Sequence, residues 1–201
     1  MTKGHRIKKQ AGARIPTGEG EFQLFLYQEE GKSEEHLALV MGEVDGQENT
    51  LVRVHSECFT GDVLGSLRCD CRDQLTEGLR AIQRDGRGIL LYLRQEGRGI
   101  GLLNKLRAYA LQDRGRDTVE ANEQLGFEAD LRDYATAVHM FRLLGVTSLR
   151  LMSNNPRKLE GVTGDALVIT ERVPLEVEPS DANRRYLKTK KDKLGHQLTS
   201  V

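Results

Sequence analysis

Apolar residues recur along this chain in two rhythms. Up to residue 55 the period is close to two. Residues 22–27, 36–44 and 50–55 alternate loosely and are separated by polar turns such as Asp45-Gly46-Gln47. That pattern predicts an antiparallel meander. From residue 70 the rhythm lengthens. Leu75, Leu79 and Ile82 lie at helical spacing within 70–84, and Asp85-Gly86 ends the run. Gly-Ile-Leu-Leu-Tyr-Leu at 88–93 is a short apolar stretch between turn signals, which predicts a buried strand. Helices are predicted over 102–111, from a cap at Thr118 to near Gly126, and over 133–144, where Gly145 stops the last. Residues 148–152 and 166–173 read as strands, and Pro156 stands at the first turn of a helix between them. The predicted class is α/β, of an α+β-like kind: an N-terminal antiparallel β meander joined to a mixed α/β layer. Residues 1–201 are expected to form one domain, with 1–10 and 194–201 as flexible tails.

Composition narrows the function classes. The chain has 38% hydrophobic and 30% charged residues, the balance of a globular enzyme rather than a disordered segment. Thirty basic and thirty acidic residues cancel, and there are ten aromatics (five Tyr, five Phe) with no Trp. Neither property favours a nucleic-acid partner. The opening residues are polar and basic, and no apolar run reaches the length of about 18 residues that a membrane span needs. A cytoplasmic setting is expected. The basic run at 184–193 reads as a solvated helix face or a frayed tail.

The cysteines change this picture. Cys58, Cys69 and Cys71 are the only three in the chain and share one short window. An odd count argues against a secreted disulfide scaffold, and in a reducing compartment such a cluster more often binds metal or catalyses. Three sulfurs without a fourth point to zinc with one position open to a reactive water. The plainer alternatives are a closed structural site, completed by His55, His36, His139 or His196, and a set of buried thiols without metal.

Three further segments carry polar chemistry. Arg94-Gln95-Glu96-Gly97-Arg98-Gly99-Ile100-Gly101 follows a predicted strand and precedes a helix, so its glycines would let backbone approach an anion. It lacks the Gly-Lys-Ser/Thr of a Walker loop and is equally compatible with a tight turn. Asp130 and Arg132 are two apart, on one side of an extended backbone. Ser153-Asn154-Asn155-Pro156-Arg157-Lys158 could contact a nucleotide or simply cap a helix.

Taken together these segments are far more specific than any one. Arg53-Val54-His55-Ser56-Glu57-Cys58 with Asp62, Ser66-Leu67-Arg68-Cys69-Asp70-Cys71, the glycine loop through Leu102, Asp117-Thr118-Val119-Glu120-Ala121-Asn122, and Asn154-Asn155-Pro156 with Lys158 resemble GTP cyclohydrolase II. The resemblance runs from about residue 10 to His196, in the family's order, and is to the form that stands alone without a dihydroxybutanone-phosphate synthase domain. It implies a fold of that family and hydrolysis of GTP to 2,5-diamino-6-(5-phospho-D-ribosylamino)pyrimidin-4(3H)-one, formate and pyrophosphate, the first step of riboflavin biosynthesis. It implies Zn2+ on Cys58, Cys69 and Cys71, one ion per subunit, and Mg2+ with the triphosphate. Arg53, Val54, His55, Ser56, Glu57, Gln74, Glu96, Gly97, Arg98, Thr118, Ser153 and Lys158 match substrate contacts. Asp130 matches the assigned proton acceptor, Arg132 the assigned nucleophile and Tyr109 the residue of ring opening. A homodimer is implied by the family's habit. A guanidinium of pKa above about 12 is a poor nucleophile, and a clamp on the α-phosphate is the cheaper role for Arg132. Rival readings are a relative that stops at the formamide and a zinc-stabilised module that binds guanine nucleotide without turnover.

Overall fold

The structure is a computed structural model and describes residues 6–163 and 167–201. Its frame is one sheet of seven strands in the order β1-β2-β3-β5-β4-β6-β7. β1 (Ile7–Thr17), β2 (Gly20–Glu29) and β3 (Glu35–Met41) form the antiparallel meander. β5 (Gly88–Leu93) is antiparallel to β3 on one side and parallel to β4 (Thr50–Ser56) on the other. β6 (Ser148–Met152) and β7 (Val168–Val173) continue the parallel half. The expected strand at 166–173 is thus found from Val168; Ala166 lies outside the described residues.

Helices cover both faces of the parallel half, and the strands show it. Val52, Val54, Ile89, Leu91 and Leu93 face one cluster with Ala137, Met140 and Phe141 of α5 (Ala135–Leu143) and Val162 of α6 (Pro156–Val162). Leu51 and Leu90 face the other, with Leu79 and Ile82 of α2 (Cys71–Asp85). β4 and β5 are therefore buried almost throughout, the mark of strands covered on both sides, while β2 and β3 alternate. Each fully buried side chain of this kind stabilises the fold by about 1.5–3 kcal/mol.

Short α1 (Phe59–Asp62) leaves β4, and α3 (Gly101–Gln112) follows the glycine loop. α4 (Thr118–Gln124) begins one residue before its sequence reading: the cap is Asp117, whose carboxylate accepts from Val119 and Glu120 N–H while Glu120 reaches back to Asp117 N–H. α7 (Arg184–Leu194) ends at Gly195 in the left-handed region.

The expected tails differ. Residues 1–5 lie outside the described residues, but Ile7, Lys8 and Lys9 pair with β2. At the other end Leu198 is buried, and Thr199 and Ser200 bond to Glu176. Alternating polar residues hide an edge strand, because only one of its sides needs a neighbour.

Gly88 opens β5 where α2 crosses the sheet. A methyl there would sit 2.5 Å from the Leu51 carbonyl oxygen and 3.1 Å from Ile82. Gly88→Ala is expected to destabilise by about 1–3 kcal/mol in urea unfolding, and a wild-type midpoint would remove the steric argument.

Candidate active site

Parallel strands direct their carboxyl ends, and the loops that follow, to one edge of a sheet, where ligands of open α/β folds bind. Here β4 delivers Ser56-Glu57-Cys58, β5 delivers the glycine loop, and β6 delivers Ser153 to Lys158. One cavity collects them. Of the residues expected from sequence, Arg53, His55, Ser56, Glu57, Cys58, Cys69, Cys71, Gln74, Glu96, Gly97, Arg98, Tyr109, Thr118, Arg132, Ser153 and Lys158 line it. Two do not. The Val54 side chain faces the sheet core, and only its carbonyl oxygen takes part, accepting from Lys158 Nζ at 2.7 Å. Asp130 lies behind the wall, paired with Arg132.

The three sulfurs come together from the cap of α1 (Cys58), the loop into α2 (Cys69) and the first residue of α2 (Cys71). All lie within 4.8 Å of one another, with Cys58 Sγ and Cys69 Sγ 3.7 Å apart. Tetrahedral zinc with bonds of about 2.3 Å separates its sulfurs by about 3.8 Å, so the donor set fits the ion. The backbone is shaped to match. A methyl on Gly61 would stand 2.8 Å from Cys69 Sγ and 3.0 Å from Cys58 Sγ, so only glycine leaves room beside the cluster. Among the described residues no histidine joins this group. His55 Nε2 is committed to Asp62, 3.1 Å from both carboxylate oxygens, and His36 Nδ1 accepts from Arg94 N–H. Since Asp62 can only accept, His55 carries its proton on Nε2, and its buried Nδ1 has no protein partner.

A charge partner for the sulfurs comes from a residue that sequence reading missed. Lys105 of α3 points Nζ at Cys58 Sγ (3.1 Å) and Glu96 Oε1 (2.7 Å). Hydrogen bonds from Cys69 and Cys71, then the Lys105 ammonium, hold the Cys58 thiol far below its ordinary range. Cys69 is pushed up to about 11 because its hydrogen bond to Cys58 favours the protonated thiol, and Cys71 is raised likewise. Burial works against charge on Lys105, but Glu96 and Cys58 outweigh it and raise its pKa. Glu96 is heavily engaged within the protein: Oε1 also accepts from Gly97 N–H at 2.7 Å, and Oε2 from Phe59 N–H at 2.6 Å. The loop it belongs to is contorted. Arg98 holds φ at 61° without being glycine, between Gly97 at 63° and Gly99 at 92°.

Much of the rest of the wall carries basic side chains. Lys158 is buried, and desolvation, then the charges of Arg53, Arg132 and Lys190, lower its pKa well below that of an ordinary lysine. Arg53 is itself lowered to about 10 by burial. Arg132 forms a two-pronged pair with Asp130, Nε to Oδ1 at 2.8 Å and the terminal nitrogen to Oδ2 at 2.7 Å. Burial opposes its charge, yet the Asp130 hydrogen bond prevails and raises its pKa. Tyr109 OH meets Thr60 Oγ1 at 3.3 Å, Arg68 and Lys105 stand over its ring, and burial raises its pKa. Such a site can hold a soft divalent cation at one end and a polyanion at the other.

The family match agrees with this arrangement. Residues 8–174 match the GTP cyclohydrolase II family model, and the chain belongs to that family. It is 57% identical over 190 residues to GTP cyclohydrolase-2 of Hahella chejuensis, covering 94% of this chain and 92% of that protein. It is 53% identical over 199 residues to riboflavin biosynthesis protein RibBA of Chlorobium phaeovibrioides, covering 99% of this chain and 48% of that one. The chain thus spans about half the length of this RibBA relative. A solved two-domain 3,4-dihydroxy-2-butanone 4-phosphate synthase from A. baumannii, RibBX, aligns at TM-score 0.48 and 23% identity over 85% of this chain and 42% of its own.

Gly61→Ala is expected to weaken zinc affinity on the order of tenfold or more while leaving far-ultraviolet dichroism unchanged. Competition with a chelating dye measures it. Wild-type affinity would mean that the glycine serves the turn rather than the metal.

Proposed function

We propose that the chain is a GTP cyclohydrolase II, a catalytic domain that hydrolyses GTP to 2,5-diamino-6-(5-phospho-D-ribosylamino)pyrimidin-4(3H)-one, formate and pyrophosphate, the first step of riboflavin biosynthesis. The observation that carries this reading is the joining of a three-sulfur cluster and a cation-rich wall in one cavity. Ring opening needs the first and a triphosphate needs the second.

Cys58, Cys69 and Cys71 would hold Zn2+, whose Lewis acidity when bound makes water a nucleophile near neutral pH. The chain's own residues do the rest. Arg132, locked by Asp130, offers Nη1 toward Ser56, with its paired face turned away. A guanidinium so fixed and so firmly protonated stabilises charge gathering on the α-phosphate and does not attack it. Asp130, whose ionised form Arg132 favours despite burial, serves as its anchor. Lys158, Arg53 and Arg98 complete the phosphate wall, where Mg2+ would travel with the triphosphate. Tyr109, kept protonated by burial, is placed beside the sulfur cluster to give or orient a proton when the imidazole ring opens. Thr118, Ser153, Gln74 and the Glu57 carboxylate supply hydrogen-bond groups for the nucleoside.

A homodimer in the cytoplasm is part of the same reading. Its support is apolar surface on adjoining elements: Val63, Leu64 and Leu67 after α1, and Leu103 and Leu106 on α3, are exposed. Thr60 to Tyr109 and Arg68 to Asp113 tie these two segments together. Among the described residues no helix is long and apolar enough to cross a membrane.

Cys69→Ser is expected to abolish formate release from GTP while pyrophosphate release persists, with both products assayed in one sample. Formate at the wild-type rate would overturn the zinc role. Mass spectrometry of quenched turnover is expected to find no guanylyl adduct on Arg132, although Arg132→Ala loses activity. An adduct there would replace the clamp with a covalent step.

A further inference from the structure

The family match ends at residue 174, yet the cavity does not. Leu175, Tyr186, Lys190, His196 and Leu198 line it as well. Lys190, on α7, buries its ammonium and places Nζ 2.7 Å from Asp70 Oδ1. Asp70 sits between two of the clustered cysteines. Its other oxygen accepts from Gln74 Nε2 at 2.5 Å, and Gln74 Oε1 accepts from the Arg53 guanidinium at 2.5 Å. Arg53 then donates to the Met152 carbonyl at 3.0 Å. We infer that Lys190 is a positioning residue of the substrate site: by fixing Asp70 it sets, through Gln74, the place of Arg53 on the cavity wall.

The direction of each bond supports this. A carboxylate only accepts, so Asp70 must meet the amide nitrogen of Gln74, which turns the amide oxygen toward Arg53. The orientation of Arg53 therefore descends from the charge on Asp70. Without Lys190 that buried carboxylate would keep only the Gln74 amide nitrogen as a side-chain partner, and the next cation along the same chain of bonds is Arg53. Taking Arg53 would break the Gln74 relay.

Docking of the C-terminal segment does not need this pair. Lys193 bonds Asp117 and Glu120, Arg185 bonds the Gly115 carbonyl, Gln197 N–H bonds the Asn154 carbonyl, and Thr199 and Ser200 bond Glu176. Those contacts are exposed or run through backbone. A buried ammonium is costly to place and contributes only when its geometry is well satisfied, which is the case at Asp70 alone. Lys190 also stands 4.6 Å over the Tyr186 ring, which holds its stem.

The kinetic arm of the test rests on the GTP reading; the exchange arm does not. Lys190→Met and Lys190→Arg are made in the full chain. Amide hydrogen exchange at 70–74 is followed without nucleotide, and KM and kcat for GTP, zinc content and Tm are measured. Lys190→Met is expected to exchange several-fold faster at 70–74 and to raise KM on the order of tenfold with less change in kcat, at wild-type zinc content. Lys190→Arg is expected to recover most of both. Unchanged exchange overturns the inference even if KM rises, because Lys190 would then be meeting substrate itself. Faster exchange with wild-type KM also overturns it, as does equal loss of Tm and activity in both variants, which is the mark of a tail anchor. If the wild-type chain releases no formate from GTP while exchange responds as expected, the relay stands and the GTP reading falls.

Discussion

Much of this molecule follows from β4 lying between β5 and β6 with all three parallel. Parallel pairing needs crossovers, and those crossovers are the helices that bury both faces of β4. A strand so enclosed can spare its side chains for packing along most of its length but must release what is polar at its carboxyl end. Arg53, His55 and Ser56 are there. The Arg53 stem runs past Gly78 of α2, where an added methyl would touch it at 3.5 Å, an ordinary contact distance. Fold and site are thus not separate layers, since the same buried strand that packs α2 against the sheet also carries the guanidinium of the cavity wall.

The cavity's charge is organised by depth. Three aspartates sit behind it: Asp130 grips Arg132 from the rear, Asp70 meets Lys190, and Asp62 holds His55 together with Tyr92 OH and Cys58 N–H. Nitrogen donors face forward. This layering converts buried acids into orienting groups and leaves the positive ends free for a polyanion, an arrangement fixed before any ligand arrives. The depressed Lys158 marks where the layering is incomplete, for it has a carbonyl but no carboxylate within bonding distance among the described residues.

Periodicity made most elements legible, and residues singled out by the motifs supply a large part of the cavity wall. The misses have particular causes. β1 carries Lys8, Lys9, Gly12, Arg14 and Pro16, a polar edge strand paired on one side with a bulge between Lys9 and Ala11, so no apolar alternation announces it. Lys105 stands among Leu102, Leu103 and Leu106, where a lysine reads as ordinary helix surface, and only the fold of α3 over α1 shows that it faces sulfur. Lys190 was masked by its neighbours, since a run of cations hides the one that turns inward. For the two lysines the deciding contact joins residues far apart in the chain. A buried-face position within the amphipathic spacing of α7 is the one signal that could have raised Lys190.

Glu96 carries a lesson for reading variants. Its two oxygens join the start of α1, the glycine loop and α3, so three segments that contribute different chemistry share one carboxylate. A change at this position is pleiotropic by construction. Its phenotype would mix an altered charge beside the sulfurs, an altered loop shape and an altered seating of α3 against α1, and a single readout would not separate them.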